Sequence, residues 1–253
     1  MVDIHSHILW GLDDGAQSID DSLAMVRMAA AGGTTDIVAT PHASFEYQFD
    51  VAVVEQRLKE LQAACGPSPK LHYGCDFHLM FENIEDALQN PNKYTINHGS
   101  YLMVEFSDTV IAPNMSHVLE RLRSLGIRPV ITHPERNMVL QRTPKLLDGF
   151  YDLGCLIQVT AQSLTGLFGK SAEQNAWKLM ERGRVHFVAS DAHETGRRTT
   201  DLRQARQAVT ERFNEERALQ LLVSNPMAAV RDEPLPFAIF DSGPSQKKWF
   251  QLW

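Results

Sequence analysis

Residues 2–42 read VDIHSHILWGLDDGAQSIDDSLAMVRMAAAGGTTDIVATPH. The run Val2-Asp3-Ile4 has the β-branched character of a short strand. Ser18 then opens a Ser-x-x-Asp capping pattern, and Ile19, Leu23, Val26 and Ala30 follow on one helical face as far as Ala31. Asp36-Ile37-Val38-Ala39 is strand-like again. Strand, helix and strand in this order imply a right-handed βαβ unit with a parallel pair.

The same alternation runs outward along the chain. Further strands are expected at 71–74, 101–105, 128–131, 156–160 and 186–189, and further helices at 51–64, 114–125, 144–153, 172–182, 201–213 and 215–223. About seven strands is one short of a (β/α)8 barrel. The expectation is therefore an α/β fold, a single-domain distorted (β/α)7 TIM-like barrel, with an open doubly wound sheet as the alternative. Nothing resembles a linker before Asn225-Pro226, where the texture changes to Asp232-Glu233-Pro234-Leu235-Pro236 and a Lys247-Lys248-Trp249-Phe250 ending. Residues 1–225 are read as the barrel domain and 226–253 as a C-terminal extension.

Composition excludes whole classes of function. With 253 residues, 43% hydrophobic and 22% charged, the chain is neither disordered nor collagen-like nor a disulfide mini-protein. A formal net charge of -7 without a strongly basic stripe argues against a nucleic-acid partner. The longest apolar runs are too short to span a bilayer. Met1-Val2-Asp3-Ile4-His5 lacks the layout of a signal peptide. Cys65, Cys75 and Cys155 form no Cys-x-x-Cys pair, which suits a reducing cytoplasm.

The chemistry is concentrated at the strand ends. His5-Ser6-His7 follows the first strand, His42 the second and Asp76 the third. Glu105 closes the fourth, His133 follows the fifth and Asp191-Ala192-His193 the seventh, while the sixth offers no evident ligand. In a barrel the loops after the strands meet at one face, so these residues converge. Imidazole with carboxylate suits zinc, manganese or iron, whereas calcium or magnesium would take oxygen alone. A lone histidine is usually a surface or satisfied core residue, and His72, His78, His98, His117 and His186 are read that way. Asp13-Asp14-Gly15 by itself reads as a turn. Arg136 and the Arg197-Arg198 pair lie just beyond two of the ligand groups, where a planar guanidinium suits a phosphoryl dianion. One of Arg197 and Arg198 is expected to be a surface arginine.

Val2-Asp3-Ile4-His5-Ser6-His7-Ile8, Asp13-Asp14-Gly15, Thr40-Pro41-His42, Val104-Glu105-Phe106, His133-Pro134-Glu135-Arg136 and Ser190-Asp191-Ala192-His193 together resemble the PHP (polymerase and histidinol phosphatase) superfamily. Within it the chain is similar to the CpsB-type bacterial metal-dependent protein tyrosine phosphatases of capsule and exopolysaccharide synthesis. The resemblance runs from residue 2 to about 200. It implies a distorted barrel and up to three divalent transition-metal ions, manganese first, with iron, cobalt or zinc as alternatives. It assigns His5, His7 and Asp191 to one ion, which shares a bridging Asp76 with a second held by Glu105 and His133. Asp14, His42 and His193 would hold the third, and Arg136 and Arg198 would bind phosphate. Asp76 departs from the family's usual glutamate. It is one methylene shorter, so bridging requires an inward shift of the strand end or altered metal spacing, with His78 or Glu82 as substitutes.

For such a site a hydroxide bridging two ions is the natural nucleophile, since coordination lowers a water's pKa to about 7. A tyrosine phenolate leaves with a pKa near 10 and needs little protonation, which a metal-bound water or His42 could supply. A cysteine route is excluded, because the residues six past Cys65, Cys75 and Cys155 are Leu71, Phe81 and Ala161, where that chemistry needs an arginine. The expected substrate is the phosphotyrosine-bearing tail of a bacterial tyrosine kinase. The alternatives are a small phosphomonoester such as histidinol phosphate, or a non-catalytic kinase-docking module.

Overall fold

The computed structural model describes residues 1–236. The Lys247-Lys248-Trp249-Phe250 ending lies outside the described residues. The strands are β1 (Val2–Ser6), β2 (Asp36–Ala39), β3 (His42–Ala43), β4 (Lys70–Tyr73), β5 (Asp76–His78), β6 (Tyr101–Glu105), β7 (Arg128–Thr132), β8 (Leu156–Thr160) and β9 (Phe187–Ala189). Every pairing is parallel. β1-β2-β4 form one sheet and β3-β5-β6-β7-β8-β9 the other. β2 runs on into β3 across Thr40-Pro41, and β4 into β5 across Gly74-Cys75, so the nine segments build the seven staves expected. Pro41 has no N–H to donate to a ladder, which accounts for the first break.

The barrel closes loosely between β9 and β1. Asp191 N–H donates to His5 O at 2.8 Å and His7 N–H to Ala192 O at 2.8 Å. Lower down, the Asp3 carboxylate takes the place of a ladder acceptor, receiving Ser190 N–H at 3.0 Å. β1 also carries one more residue than β2 between Asp3 and Ser6, a bulge that re-aims the side chains leading to His5 and His7.

Alternation sorts the side chains by depth. Val2, Ile4, Val38, Tyr101, Met103, Val130, Leu156 and Phe187 come from six different strands into one buried cluster, as only the barrel interior allows. On β6 the sequence Tyr101, Met103, Glu105 steps along one face from that apolar floor to the mouth. The opposite strand face, with Leu102, Val104, Ile131, Ile157 and Val188, packs on the surrounding helices. The first helix, Ile19–Ala31, has the expected capping box of Ser18 and Asp21.

Two expectations are corrected. Asn225-Pro226 is not a linker. The helix Glu215–Leu219 passes through a π turn at Gln220–Ser224 into the helix Asn225–Val230. A widened turn accommodates the proline, whose missing N–H and ring disrupt regular helical bonding. Ala229 and Val230 plug the floor of the barrel, so the expected division at residue 225 falls within a packed helix. The helices Phe81–Gln89 and Met138–Arg142 were not expected. The first has Met80 at its N-cap and no side-chain cap, so it offers no start signal to read.

Candidate metal centre

All the expected ligand positions meet at the C-terminal mouth of the barrel. His133 and Asp191 both have left-handed backbone, with φ of 34° and 51°. Such strain in a non-glycine residue costs about 1–3 kcal/mol and persists where the surroundings over-determine it, as at functional sites. Gly15 lets the Asp13-Asp14 loop lie against β1, since a Cβ there would sit 2.2 Å from His7 O.

The histidines are oriented from behind. His5 Nδ1 lies 3.0 Å from Gln158 Oε1, His7 Nδ1 2.7 Å from Asp13 Oδ2, and His193 Nδ1 3.0 Å from Asp191 O. Each acceptor takes an Nδ1–H, so the Nε2 lone pair faces the mouth. His5 Nε2 stands 3.4 Å from Asp76 Oδ2 and 3.5 Å from Asp191 Oδ1. His7 Nε2 is 3.5 Å from the same Asp191 Oδ1. Asp14 Oδ1 lies 3.4 Å from His42 Nε2 and 3.3 Å from His193 Nε2. His133 Nε2 lies 3.6 Å from Glu105 Oε1. These gaps are too long for good hydrogen bonds. Metal–ligand bonds of about 2.0–2.2 Å would place neighbouring donors roughly 3.4 Å apart around a shared ion. His5 Nε2, His7 Nε2 and both Asp76 carboxylate oxygens are buried without a hydrogen-bond partner. Orphaned lone pairs of this kind are costly unless a cation satisfies them, and the donor set fits divalent transition metals.

The grouping differs in part from expectation. His7, Asp14, His42 and His193 form one set of mutually close donors, containing the three expected for the third ion. His5 gathers with His7 and Asp76, and also with His133 and Asp191. Asp76 is fully buried, and its Oδ2 is close both to His5 and to His42 Nδ1, the latter at 3.3 Å. The short carboxylate reaches because Asp76 lies within β5, paired with His42 and with Met103. Glu105 gathers with His42, Asp76 and His78 through one carboxylate oxygen while the other lies 3.6 Å from His133. His78, read from sequence both as a lone histidine and as a possible substitute for Asp76, joins this group, whereas exposed Glu82 does not.

Electrostatics follow from this packing. Although burial opposes it, Arg136 and His5 hold the Asp191 carboxyl well below its usual range. Burial, then Arg136, pushes His133 well down, so it stays neutral and able to donate a lone pair. His5 is pushed up to about 9 against burial by Asp76 and Asp191. Any ion must displace protons from such imidazoles. Arg136 Nη2 and Arg198 Nη2 both bind Asp191 Oδ2, at 2.5 and 2.8 Å. The Arg136 guanidinium also lies 4.4 Å above the Phe168 ring. Both arginines line the same cleft of about 360 Å³ as Asp14, His42, Glu105, His133, Asp191 and His193. Arg197 points elsewhere, with its Nη2 3.4 Å from Leu167 O, and is the surface arginine of the pair.

Sequence reasoning missed the outer partners. Asp13 was read as a turn residue, yet it binds His7 and also accepts His42 N–H at 3.0 Å. Gln158, on the strand thought to contribute nothing, was signalled by a polar residue inside the otherwise apolar run Leu156-Ile157-Gln158-Val159. Glu135 is buried and accepts Thr160 N–H and Ser163 Oγ–H, which ties the fifth-strand loop to the end of β8.

Residues 1–231 match the family described as capsular polysaccharide synthesis, CpsB/CapC. A putative tyrosine-protein phosphatase CapC of Staphylococcus aureus is 33% identical over 262 residues, covering 100% of both chains. Tyrosine-protein phosphatase YwqE of Bacillus subtilis is 33% identical over 220 residues, 85% of this chain and 86% of that one. A chain from the crystal structures of YwqE and of CpsB from Streptococcus pneumoniae, described as unique metal-dependent tyrosine phosphatases, superposes with a TM-score of 0.87 at 30% identity. That match covers 93% of this chain and 96% of the other.

Proposed function

The chain belongs to the CpsB/CapC family of capsular polysaccharide synthesis, and from that premise we propose that it is a metal-dependent protein tyrosine phosphatase. The observation that carries this reading is that the orphaned donors of His5, His7 and Asp76 gather at the mouth beside Asp191, whose other carboxylate oxygen binds both guanidinium groups of the adjoining cleft. Up to three divalent ions, manganese first, would be held by His5, His7, Asp14, His42, Asp76, Glu105, His133, Asp191 and His193. When bound, they supply an activated water and positive charge for the phosphoryl group.

The remaining work belongs to the chain. Arg136 and Arg198 are held by Asp191 Oδ2 while Oδ1 faces the histidines, so one carboxylate fixes the phosphate-binding groups relative to the donors. A guanidinium pair fixed in advance stabilises the charge of the in-line transition state without reorganising. The proton for the leaving phenolate would come from a bound water or from His42, whose side chain is 13% exposed at the mouth. Burial pushes the Cys75 thiol well up and the Cys155 thiol up to about 12, which removes them as nucleophiles.

The substrate would be the phosphotyrosine-bearing tail of a bacterial tyrosine kinase. Exposed Phe45, Phe81, Val110 and Met138 lie on the segments after β3, β5, β6 and β7, an apolar arc along the rim suited to peptide. Cytoplasmic placement fits the unpaired cysteines. Among the described residues no helix is long and apolar enough to cross a membrane. The test compares kcat/KM on phosphotyrosine peptides, a phosphoserine peptide and histidinol phosphate. Phosphotyrosine is expected to lead. A tenfold preference for either competitor, about 1.4 kcal/mol in the transition state, would overturn the substrate assignment.

A further inference from the structure

The β5 strand repeats the device of β1. Asp76 and His78 are two apart, so they share a strand face, as two residues of an x-His-x-His pattern do. In the ladder His78 pairs with Glu105 on β6, and Asp76 pairs with His42 on β3. One donor atom from each of these four side chains lies within 4.8 Å of the others. His78 Nε2 is 2.5 Å from Glu105 Oε2 and 3.2 Å from His42 Nδ1. His42 is already engaged through Nε2 with Asp14. Its Nδ1 still faces Asp76 Oδ2 at 3.3 Å and Glu105 Oε2 at 3.6 Å, so His78 stands as a second imidazole beside the same two carboxylates.

We propose that His78 is itself a ligand, through Nε2, of the ion that Asp76 and Glu105 hold. This rests on the metal-dependent reading above and adds a further nitrogen donor to that site. His78 and Glu105 must part by several tenths of an ångström to take an ion between them, since donors on one ion with bonds of about 2.1 Å sit about 3 Å or more apart. The His78 side chain is 31% exposed. Its main chain is fixed by Asn83, whose Nδ2 donates to His78 O at 3.1 Å and to Ala43 O at 2.8 Å. An added imidazole turns this ion's preference from magnesium or manganese toward cobalt, iron or zinc. Asp76 then needs no longer side chain, because His78 completes the shell.

The experiment loads wild type, His78→Ala and His78→Gln with cobalt(II). It counts ions by elemental analysis, measures their dissociation constants, and records hyperfine-shifted imidazole signals by proton NMR. Glutamine keeps a hydrogen-bond donor for Glu105 but brings no imidazole. Both variants are expected to lose one shifted imidazole signal and to bind one ion at least tenfold more weakly, with the other ions retained. If wild type binds its ions and His78→Gln matches it in affinity and in every signal, His78 is only a hydrogen-bond partner and the inference falls alone. If wild type binds no ion, the metal-dependent reading falls with it.

Discussion

Both ends of the barrel set histidine beside acid, and the two ends use it differently. At the floor, His72 Nε2 meets Asp36 Oδ1 at 2.9 Å, and His98 bonds Glu55 and Asn92 O, each at 3.2 Å. His186 Nδ1 accepts Ile157 N–H at 2.9 Å. These imidazoles bond their own local partners, and among the described residues no carboxylate there is shared between two of them. At the mouth the outer nitrogens are tied down in the same way, but the inner ones converge on shared carboxylates at 3.3–3.6 Å and leave lone pairs unmet. Among the described residues, every set of three or more mutually close ligand-type groups is at the mouth. A histidine of the mouth is thus marked by convergence with others on shared carboxylates, not by an acid next to it nor by an unmet nitrogen alone, which His186 Nε2 at the floor also has.

Substitutions at the two ends should separate sharply in their effect on turnover. Asp191→Ala removes the carboxylate that faces His5 and His7 and accepts from Arg136 and Arg198, so kcat/KM for a phosphotyrosine peptide should fall at least about 10³-fold. Retained turnover would mean that the mouth is not organised around this carboxylate. Arg198→Ala should raise KM and lower kcat together, with kcat down on the order of 10²-fold. An unchanged KM would remove it from phosphate binding. Gln158→Leu and Asp13→Asn should weaken metal affinity by about 10–100-fold while leaving the ligands in place, read by titration calorimetry. At the floor, His72→Phe should cost about 1 kcal/mol in urea unfolding and leave metal content and turnover alone.

The floor also predicts a pH response. Burial, then Arg217, pushes His186 down to about 3, whereas an unfolded histidine titrates near 6.5. Between those values only the unfolded chain binds this proton. Its contribution to stability is therefore present above about pH 6.5 and lost as pH falls toward 3. His186→Gln should flatten that limb of the unfolding free energy against pH. An unchanged slope would assign acid sensitivity wholly to the carboxylates of the mouth.

Much of this was legible in the sequence because barrels translate position along the chain into position in space. Val2-Asp3-Ile4 and Asp36-Ile37-Val38-Ala39 announce parallel strands, and whatever follows a strand must lie at the mouth. His5, His7, His42, Glu105, His133, Asp191 and His193 could be placed on that ground alone. The register was not legible. That Asp76 continues a broken stave, and so carries His78 opposite Glu105, depends on breaks at Pro41 and Gly74-Cys75 that show only as irregular composition. The helix from Asn225 through Pro226 escaped for a similar reason, since a π turn hides the proline from any rule built on regular helical bonding.

The central claim is that the mouth is a metal centre and that hydrolysis of phosphotyrosine depends on it. The most direct measurement is elemental analysis of the purified protein paired with turnover of a phosphotyrosine peptide before chelation, after chelation and after manganese, iron or cobalt is returned. The account predicts up to three ions per chain, loss of turnover with their removal and recovery on their return. Full turnover by a metal-free chain would contradict it.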